Sequence, residues 1–219
     1  MAYTFAIADL HGRFDLLVRA FAEIEAYDSK PHKIVTLGDY IDRGPESRQV
    51  IEYLMRCNPN VICLKGNHED MMIETITAPL DPGWWVGNGG AQTLVSYGGV
   101  VPPEHLKWAR NLPTLHVDQH RVFVHAGVNP GAPLDDQTDE YKMWFRYPPN
   151  ADVGHGDRHV VHGHTPNPNG PELYGSRTNL DTLAWRTGRL VVAVFDDEVP
   201  GAAIDYIEIG TPALTSKEG

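Results

Sequence analysis

The sequence predicts an α/β fold built around a largely parallel sheet. Three features carry that reading. Short apolar runs recur along the chain, and each ends abruptly in polar residues. Helical spacing of apolar residues lies between the first three runs, which is strand–helix–strand–helix–strand order. The polar residues that close the runs are the chemically unusual ones of this chain.

The first run, Phe5-Ala6-Ile7-Ala8, leads into Asp9-Leu10-His11-Gly12. A helix follows, with Leu16, Leu17, Ala20, Phe21 and Ile24 spaced for one face and Asp15 near its start. Ile34-Val35-Thr36-Leu37 then leads into Gly38-Asp39. Val50, Ile51, Leu54 and Met55 repeat the helical spacing after Pro45-Glu46, a suitable first turn. Val61-Ile62-Cys63-Leu64 leads into Lys65-Gly66-Asn67-His68. Two later runs behave alike: Val122-Phe123-Val124 before His125-Ala126-Gly127, and Val160-Val161 before His162-Gly163-His164. Continuous apolar runs suit strands buried on both faces, and ligands of such sheets gather beyond the carboxyl ends of the strands.

Other stretches differ in texture. Residues 79–113, with Trp84, Trp85, Trp108, Gly89-Gly90 and Gly98-Gly99, are expected to form a compact cap or excursion. Residues 129–158 are rich in Pro, Asp and Asn and are expected to loop over one face. Leu190 to Phe195 is a late strand, and 212–219 is expected to be a flexible tail. Residues 1–219 are read as a single domain.

Composition narrows the partners. The chain is 42% hydrophobic and 21% charged, ordinary for a soluble globular protein. A formal charge of −11, with no run of Lys or Arg, argues against nucleic acid or an anionic membrane as a partner. Anionic substrates stay open, because bound cations reverse the local field. Cys57 and Cys63 make no disulfide framework, no secretory pattern opens the chain and no apolar run is long enough to span a bilayer. A cytoplasmic protein with free thiols is expected.

Asp9, His11, Asp39, Asn67, His125 and His164 are carboxylates, imidazoles and an amide with no thiolate, a set suited to manganese, iron or zinc. A two-metal site needs one shared anion. Asp39 suits that place, because Gly38 leaves room for close approach. Asp9 and His11, two apart on extended backbone, can face one metal. Arg43, just beyond Asp39, can hold a phosphate in bidentate fashion. His68, beside Asn67, is placed to protonate a leaving alkoxide, with Asp42 orienting its imidazole.

Asp9-Leu10-His11, Gly38-Asp39-Tyr40-Ile41-Asp42-Arg43-Gly44 and Gly66-Asn67-His68-Glu69 resemble the calcineurin-like metallophosphoesterase motifs. The Asp-Arg-Gly and Asn-His-Glu forms resemble its phosphoprotein phosphatase branch, which includes serine/threonine phosphatases of the bacteriophage lambda type. His125-Ala126-Gly127 and Gly163-His164-Thr165-Pro166 resemble the two later histidine motifs, so the likeness spans residues 9–166 in the family's order. Singly these motifs are weak; together and in order they are specific.

The resemblance implies a four-layer α/β/β/α sandwich of two mixed sheets flanked by helices, with the second sheet carried by resemblance alone. It implies two divalent metal ions, Mn2+ first among them, with Fe or Zn as options. Asp9, His11 and Asp39 would hold one ion; Asp39, Asn67, His125 and His164 would hold the other. His68 and Asp42 would form the acid pair. Arg43 and Asn67 would bind substrate together with Arg146, which follows Trp144-Phe145 in the place of the branch's second arginine. Lys65 stands where the family usually has Arg and removes no proposed ligand.

The implied reaction is attack by a metal-bridging hydroxide on a phosphomonoester, by a serine/threonine or dual-specificity protein phosphatase. The substrates would be phosphorylated proteins or peptides, with small phosphoesters in vitro, and the chain would act as a monomer. One alternative is a symmetrical dinucleoside tetraphosphatase or a phosphodiesterase. Another, of a different class, is a non-catalytic metal-binding interaction module; the presence of every expected ligand argues against it.

Plainer roles suit many of these residue types. Surface or hydrogen-bonded roles are expected for His32, His105, His116, His120, His155 and His159. His162 and His164 compete for one ligand place, and the Gly-His-Thr-Pro pattern favours His164. Asp9 and Asp39 alone could be turn residues, and Arg43 and Arg146 surface ion-pair members. Asp70 and Glu74 read as solvated helix positions, and Trp84-Trp85 as packing or as the rim of a substrate cleft.

Overall fold

The computed structural model describes residues 2–28, 32–78 and 82–210. The tail expected over 212–219 and the first residues of the 79–113 excursion lie outside the described residues. The first half follows the expected order: β1 (Tyr3–Ile7), α1 (Phe14–Tyr27), β2 (Lys33–Thr36), α2 (Ser47–Leu54), β3 (Val61–Cys63) and α3 (Asn67–Thr77). Helix α2 starts at Ser47, so Pro45 stands just outside it. Then come α4 (Gly83–Trp85), a π-turn over Val86–Gly90, α5 (Ala91–Tyr97) and α6 (Pro103–Asn111). The second half holds β4 (Leu115–Val117), β5 (Arg121–Val124), α7 (Asp139–Trp144), β6 (His159–His162), β7 (Glu172–Leu173), β8 (Arg177–Asn179), α8 (Ala184–Thr187), β9 (Arg189–Asp196) and β10 (Asp205–Gly210).

These strands form two five-stranded mixed sheets, ordered β10-β9-β1-β2-β3 and β4-β5-β6-β8-β7. In the first sheet β1, β2 and β3 run parallel out to the β3 edge, β9 is antiparallel to β1, and β10 is antiparallel to β9; in the second, β5, β6 and β8 run parallel between antiparallel margins β4 and β7. The sandwich implied by the motif set is therefore present, second sheet included.

Alternation along each strand explains the continuous apolar runs. Phe5 and Ile7 of β1 pack with Leu16, Leu17, Ala20 and Ile24 of α1 in the core between sheet and helices. Ala6 and Ala8 point the other way, into a core between the sheets with Val35, Leu37, Leu64, Phe123, Val161, Leu180, Ala193 and Phe195. On the far side of the second sheet, Val122, Val124, Val128 and Val160 pack with Leu115 and Leu134. With both faces covered, no position on these strands calls for a polar residue.

The excursion packs against the body: α5 lies on α2, and α6 on α3. The stretch expected to be a long loop, 129–158, contains α7, whose start is capped by the Thr138 hydroxyl accepting from Tyr141 N–H. No helix among the described residues is long and apolar enough to cross a membrane. Cys57 and Cys63 are free thiols, and burial pushes Cys63 up to about 11.

The inter-sheet core supplies a stability prediction. Phe195 is fully buried, meets Phe123 edge-on at 5.8 Å and carries the Arg121 guanidinium over its ring at 4.7 Å. Phe195→Ala should cost about 3–5 kcal/mol in urea unfolding, lowering the melting temperature by about 10 °C. A change below about 1 kcal/mol would show that the two sheets do not depend on this contact.

Candidate metal centre

Every expected site residue from the first sheet lies just past a strand's carboxyl end: Asp9 and His11 after β1, Asp39, Asp42 and Arg43 after β2, Asn67 and His68 after β3. From the second sheet, His125 follows β5 and His164 follows β6. The sandwich brings these two rows of strand ends together at one edge.

The loops that deliver them are strained. Asp9, His11, Asp39, Asp42, Arg43 and His164 adopt φ of +33°, +43°, +54°, +73°, +67° and +63°. Each such non-glycine residue costs on the order of 1–3 kcal/mol and persists only where its surroundings fix it. Here the fixing groups are visible. His11 N–H donates to Asp39 C=O at 2.8 Å, tying the first loop to the second. The buried Glu69 carboxylate accepts from Asp39, Tyr40 and Gly66 N–H at 2.9, 2.8 and 3.0 Å, joining the second loop to the third. His164 N–H donates to the Asp9 carboxylate at 3.1 Å, binding one sheet's loops to the other's.

Two glycines make this convergence possible. A Cβ on Gly66 would collide with the Asp39 carboxylate and backbone, and one on Gly163 with the Asp9 carboxylate. Gly163→Ala should therefore push Asp9 out of place, lowering divalent-metal affinity and activity at least about 10-fold, within the range of effects set by groups that orient ligands. Calorimetric metal titration checks this, and unchanged affinity would refute the crowding.

Two groups of ligand atoms converge: His11, Asp39 and His68, and Asp39, His125 and His164, each within 4.8 Å of one another. Asp39 belongs to both. Its Oδ2 lies 3.5 Å from His11 Nε2, and its Oδ1 lies 3.4 Å from His125 Nε2. Asn67 Oδ1 lies 2.9 Å from His125 Nε2 and 3.1 Å from His164 Nδ1. Asp9 lines the same cavity but stands outside both converging groups, its carboxylate turned to His164 N–H.

The ring tautomers test whether these residues fit cations. His11 Nδ1 lies 2.8 Å from Ile41 C=O and His125 Nδ1 2.9 Å from Leu37 C=O. A carbonyl only accepts, so each Nδ1 carries the proton and each neutral ring turns the Nε2 lone pair inward. At His125 that lone pair faces the lone pairs of Asn67 Oδ1. Buried lone pairs aimed at one point repel one another unless a cation lies among them, so the donor set fits divalent ions.

Titration directions agree with this geometry. Burial drives His11 and His125 below the ordinary histidine range, and burial with the neighbouring His125 lowers His164 to about 3. Burial, then the carboxylates of Asp181 and Asp39, pushes Asp9 well up. Burial also works against the Asp39 anion, but the imidazoles of His125, His68, His11 and His164 prevail and hold its carboxyl below the usual range.

His68 is held differently. Its Nδ1 donates to Asp42 Oδ2 at 2.6 Å, while its Nε2 lies 2.9 Å from an Arg43 nitrogen; the other Arg43 amino group reaches His11 Nε2 at 2.5 Å. Burial lowers the His68 pKa, but Asp39 and Asp42 outweigh it and the net shift is upward. Asp42 is itself locked: Trp85 Nε1 donates to Oδ2 at 2.9 Å and the Thr93 hydroxyl to Oδ1 at 2.6 Å.

Arg146 lines the cavity with Arg43, Asn67 and His68. The His162–His164 competition resolves geometrically: His162 turns to Gly163 C=O at 3.0 Å and Arg177 at 3.0 Å, away from the converging atoms. None of His32, His105, His116, His120, His155 or His159 belongs to either converging group. Asp70 is half-buried and paired with Lys65 at 3.1 Å rather than freely solvated.

Sequence reasoning missed Asp181, which lines the cavity and is pushed up to about 6 by burial. Its signal was available: it follows β8 as Asp9 follows β1, but β8 is a polar strand. Trp85 and Thr93, the anchors of Asp42, carried no local signal at all.

A paired-sheet scaffold with buried carboxylate, imidazole and amide donors at its strand ends defines a candidate two-metal centre. Residues 4–195 match the calcineurin-like phosphoesterase family, and the chain belongs to it. The chain is 31% identical over 130 residues to a Klebsiella pneumoniae protein named symmetrical bis(5'-nucleosyl)-tetraphosphatase, covering 58% of this chain and 44% of that relative. A Yersinia enterocolitica protein of the same name is 25% identical, covering 95% of this chain and 68% of the relative. The fold is also similar to that of a serine/threonine phosphatase from Saccharomyces cerevisiae, with TM-score 0.64 and 15% identity over 96% of this chain and 80% of that one. Against the Klebsiella protein, the chain thus spans less than half the relative's length.

Proposed function

We propose that the protein hydrolyses phosphate monoesters carried on proteins or peptides. The observation that carries this reading is the His68–Asp42 pair, set against Arg43 beside two converging ligand groups that share Asp39. His11 and Asp39 would hold one divalent ion with Asp9 completing its set, and Asp39, Asn67, His125 and His164 the other, with Mn2+ the first metal to try. Such a pair of ions, when bound, lowers the pKa of water and neutralises charge on the phosphoryl oxygens.

The chain's own groups supply the rest. Arg43 and Arg146 grip the phosphate, with Asn67 at the cavity wall. His68, its Nδ1 proton committed to Asp42, gives the leaving oxygen the second proton of its imidazolium form, carried on Nε2 once Arg43 leaves that atom for the phosphate. Asp42 cannot swing away, because Trp85 and Thr93 hold both of its oxygens.

The cavity's own cationic side chains are few. Among the described residues that line the cavity, of about 330 Å³, the cationic side chains are Arg43 and Arg146, and Asp181 adds negative charge at its wall. Two arginines suit one terminal phosphate group, alongside the divalent ions the site would hold. A second reading, symmetrical dinucleoside tetraphosphatase, is supported by the names of the relatives. Phosphate release from a phosphoserine peptide, compared with cleavage of diadenosine tetraphosphate under supplied Mn2+, separates them. Faster turnover of the peptide is expected. Cleavage of the tetraphosphate alone would establish the second reading, and inactivity on both despite bound metal would point to a binding module.

A further inference from the structure

One wall of the cavity is aromatic and has no part in holding metal or phosphate. Trp84 of α4 and Trp144 of α7 both line the cavity and stack on each other, with ring centroids 5.7 Å apart and planes 19° apart. They remain 49% and 37% exposed. Residues near them in sequence are placed otherwise: Trp85 is buried on Asp42, and Arg146 lines the cavity. Two indoles from distant segments, stacked and open to solvent at the mouth of a polar cavity, leave apolar area uncovered that a flat ligand can bury.

The wall stands close to the chemistry. The Trp144 ring lies 6.4 Å, centroid to centroid, from His164. A ring that touches the wall must therefore be attached almost directly to the phosphate. The gap between the two indoles is too narrow for a third ring, which needs about 3.5 Å on each side. The ligand ring must lie against the pair, not between its members.

We propose that Trp84 and Trp144 form an aryl subsite that selects monoesters of phenols, the phosphotyrosyl class, over esters of aliphatic alcohols. This rests on the phosphomonoesterase reading above and names its substrate class. In an aryl ester the ring is bonded to the ester oxygen itself, so a phosphate held by Arg43 and Arg146 sets that ring beside the indoles. A seryl ester offers one methylene there. In a nucleotide a ribose separates the base from the phosphate, so its ring is not bonded at the ester oxygen.

The test uses peptides of one sequence bearing phosphotyrosine or phosphoserine, with wild type, Trp84→Ala, Trp144→Ala and Trp144→Phe. The ratio of kcat/KM for the two peptides should fall about 10-fold in each alanine variant, chiefly through KM on the aryl peptide, and Trp144→Phe should recover most of it. An unchanged ratio would reduce the pair to packing and overturn the subsite. Loss confined to diadenosine tetraphosphate would make the wall a nucleobase platform, which also overturns it.

A binding measurement needs no turnover. In calorimetric titrations with Mn2+ present, wild type should bind phenylphosphonate about 10-fold more tightly than methylphosphonate, and the gap should close in the alanine variants. Equal affinity of wild type for the two would sink the aryl subsite. Failure of the phosphomonoesterase reading itself would look different: no phosphate release from any monoester while the phenylphosphonate preference persists.

Discussion

Replacing His68 by Asn is expected to leave metal content intact and to lower kcat on a phosphoserine peptide by about 10²–10⁴, the usual worth of a positioned general acid. The side chain lies at the cavity with Nδ1 donating to Asp42 at 2.6 Å and Nε2 accepting from Arg43 at 2.9 Å, so Nε2 is the atom that would take up the acid proton once Arg43 turns to a phosphate. An aliphatic alkoxide needs that proton; p-nitrophenolate does not. The loss on p-nitrophenyl phosphate should therefore be far smaller. Steady-state kinetics on both substrates, with metal analysis of the variant, decide the matter. A variant equal to wild type on the peptide would remove His68 from the mechanism, and equal losses on the two substrates would mark it as structural. Because Asp42 acts through the same imidazole, Asp42→Asn combined with His68→Asn should be hardly worse than His68→Asn alone.

Legibility in the sequence followed burial. The strands that carry the site were readable because both faces are apolar: Phe5 and Ile7 meet α1 while Ala6 and Ala8 meet the other sheet. Strand β8, Arg177-Thr178-Asn179, is equally buried, but its partners are hydrogen bonds: Arg177 reaches His162 at 3.0 Å and the Thr178 hydroxyl meets His159 at 2.8 Å. A polar strand satisfied this way has no apolar signature, so Asp181 behind it passed unnoticed. Edge strand β10 alternates Tyr206, Glu208 against Ile207, Ile209, a period of two that was legible and overlooked.

The site divides in the same manner. Asp9, His11, Asp39, Asn67, His125 and His164 stand out in the sequence because each follows a readable run and belongs to a motif. What fixes them was not readable. Glu69 gathers three backbone N–H groups from two loops, and Trp85 and Thr93 reach Asp42 across more than forty residues. The contacts of Trp85 and Thr93 exist only once α4 and α5 have packed on α3 and α2. The stacking of Trp84 on Trp144 is of the same kind, since nothing in either segment announces the other.

Asp39→Asn should abolish binding of both divalent ions and lower activity by more than about 10³, while leaving the fold in place. The two Asp39 oxygens face different ligand groups, Oδ2 toward His11 at 3.5 Å and Oδ1 toward His125 at 3.4 Å, so one substitution weakens both. Removing one unit of negative charge about 4 Å from a unit cation forgoes about 4 kcal/mol at an effective dielectric of 20, near 10³ in affinity, and a divalent ion loses more. The fold should survive for a separate reason. Asp39 holds φ +54°, a conformation that Asn adopts readily, and its N–H stays with Glu69. The discriminating measurement is thermal unfolding with and without Mn2+. Ligands that bind only the folded state raise its melting temperature. Wild type should therefore gain several degrees from the metal, whereas Asp39→Asn should start near the metal-free wild-type value and gain nothing. A variant that still took up a pair of ions would show that Asp39 is not the anion the two groups share, and one that unfolded outright without metal would show that its charge also holds the fold.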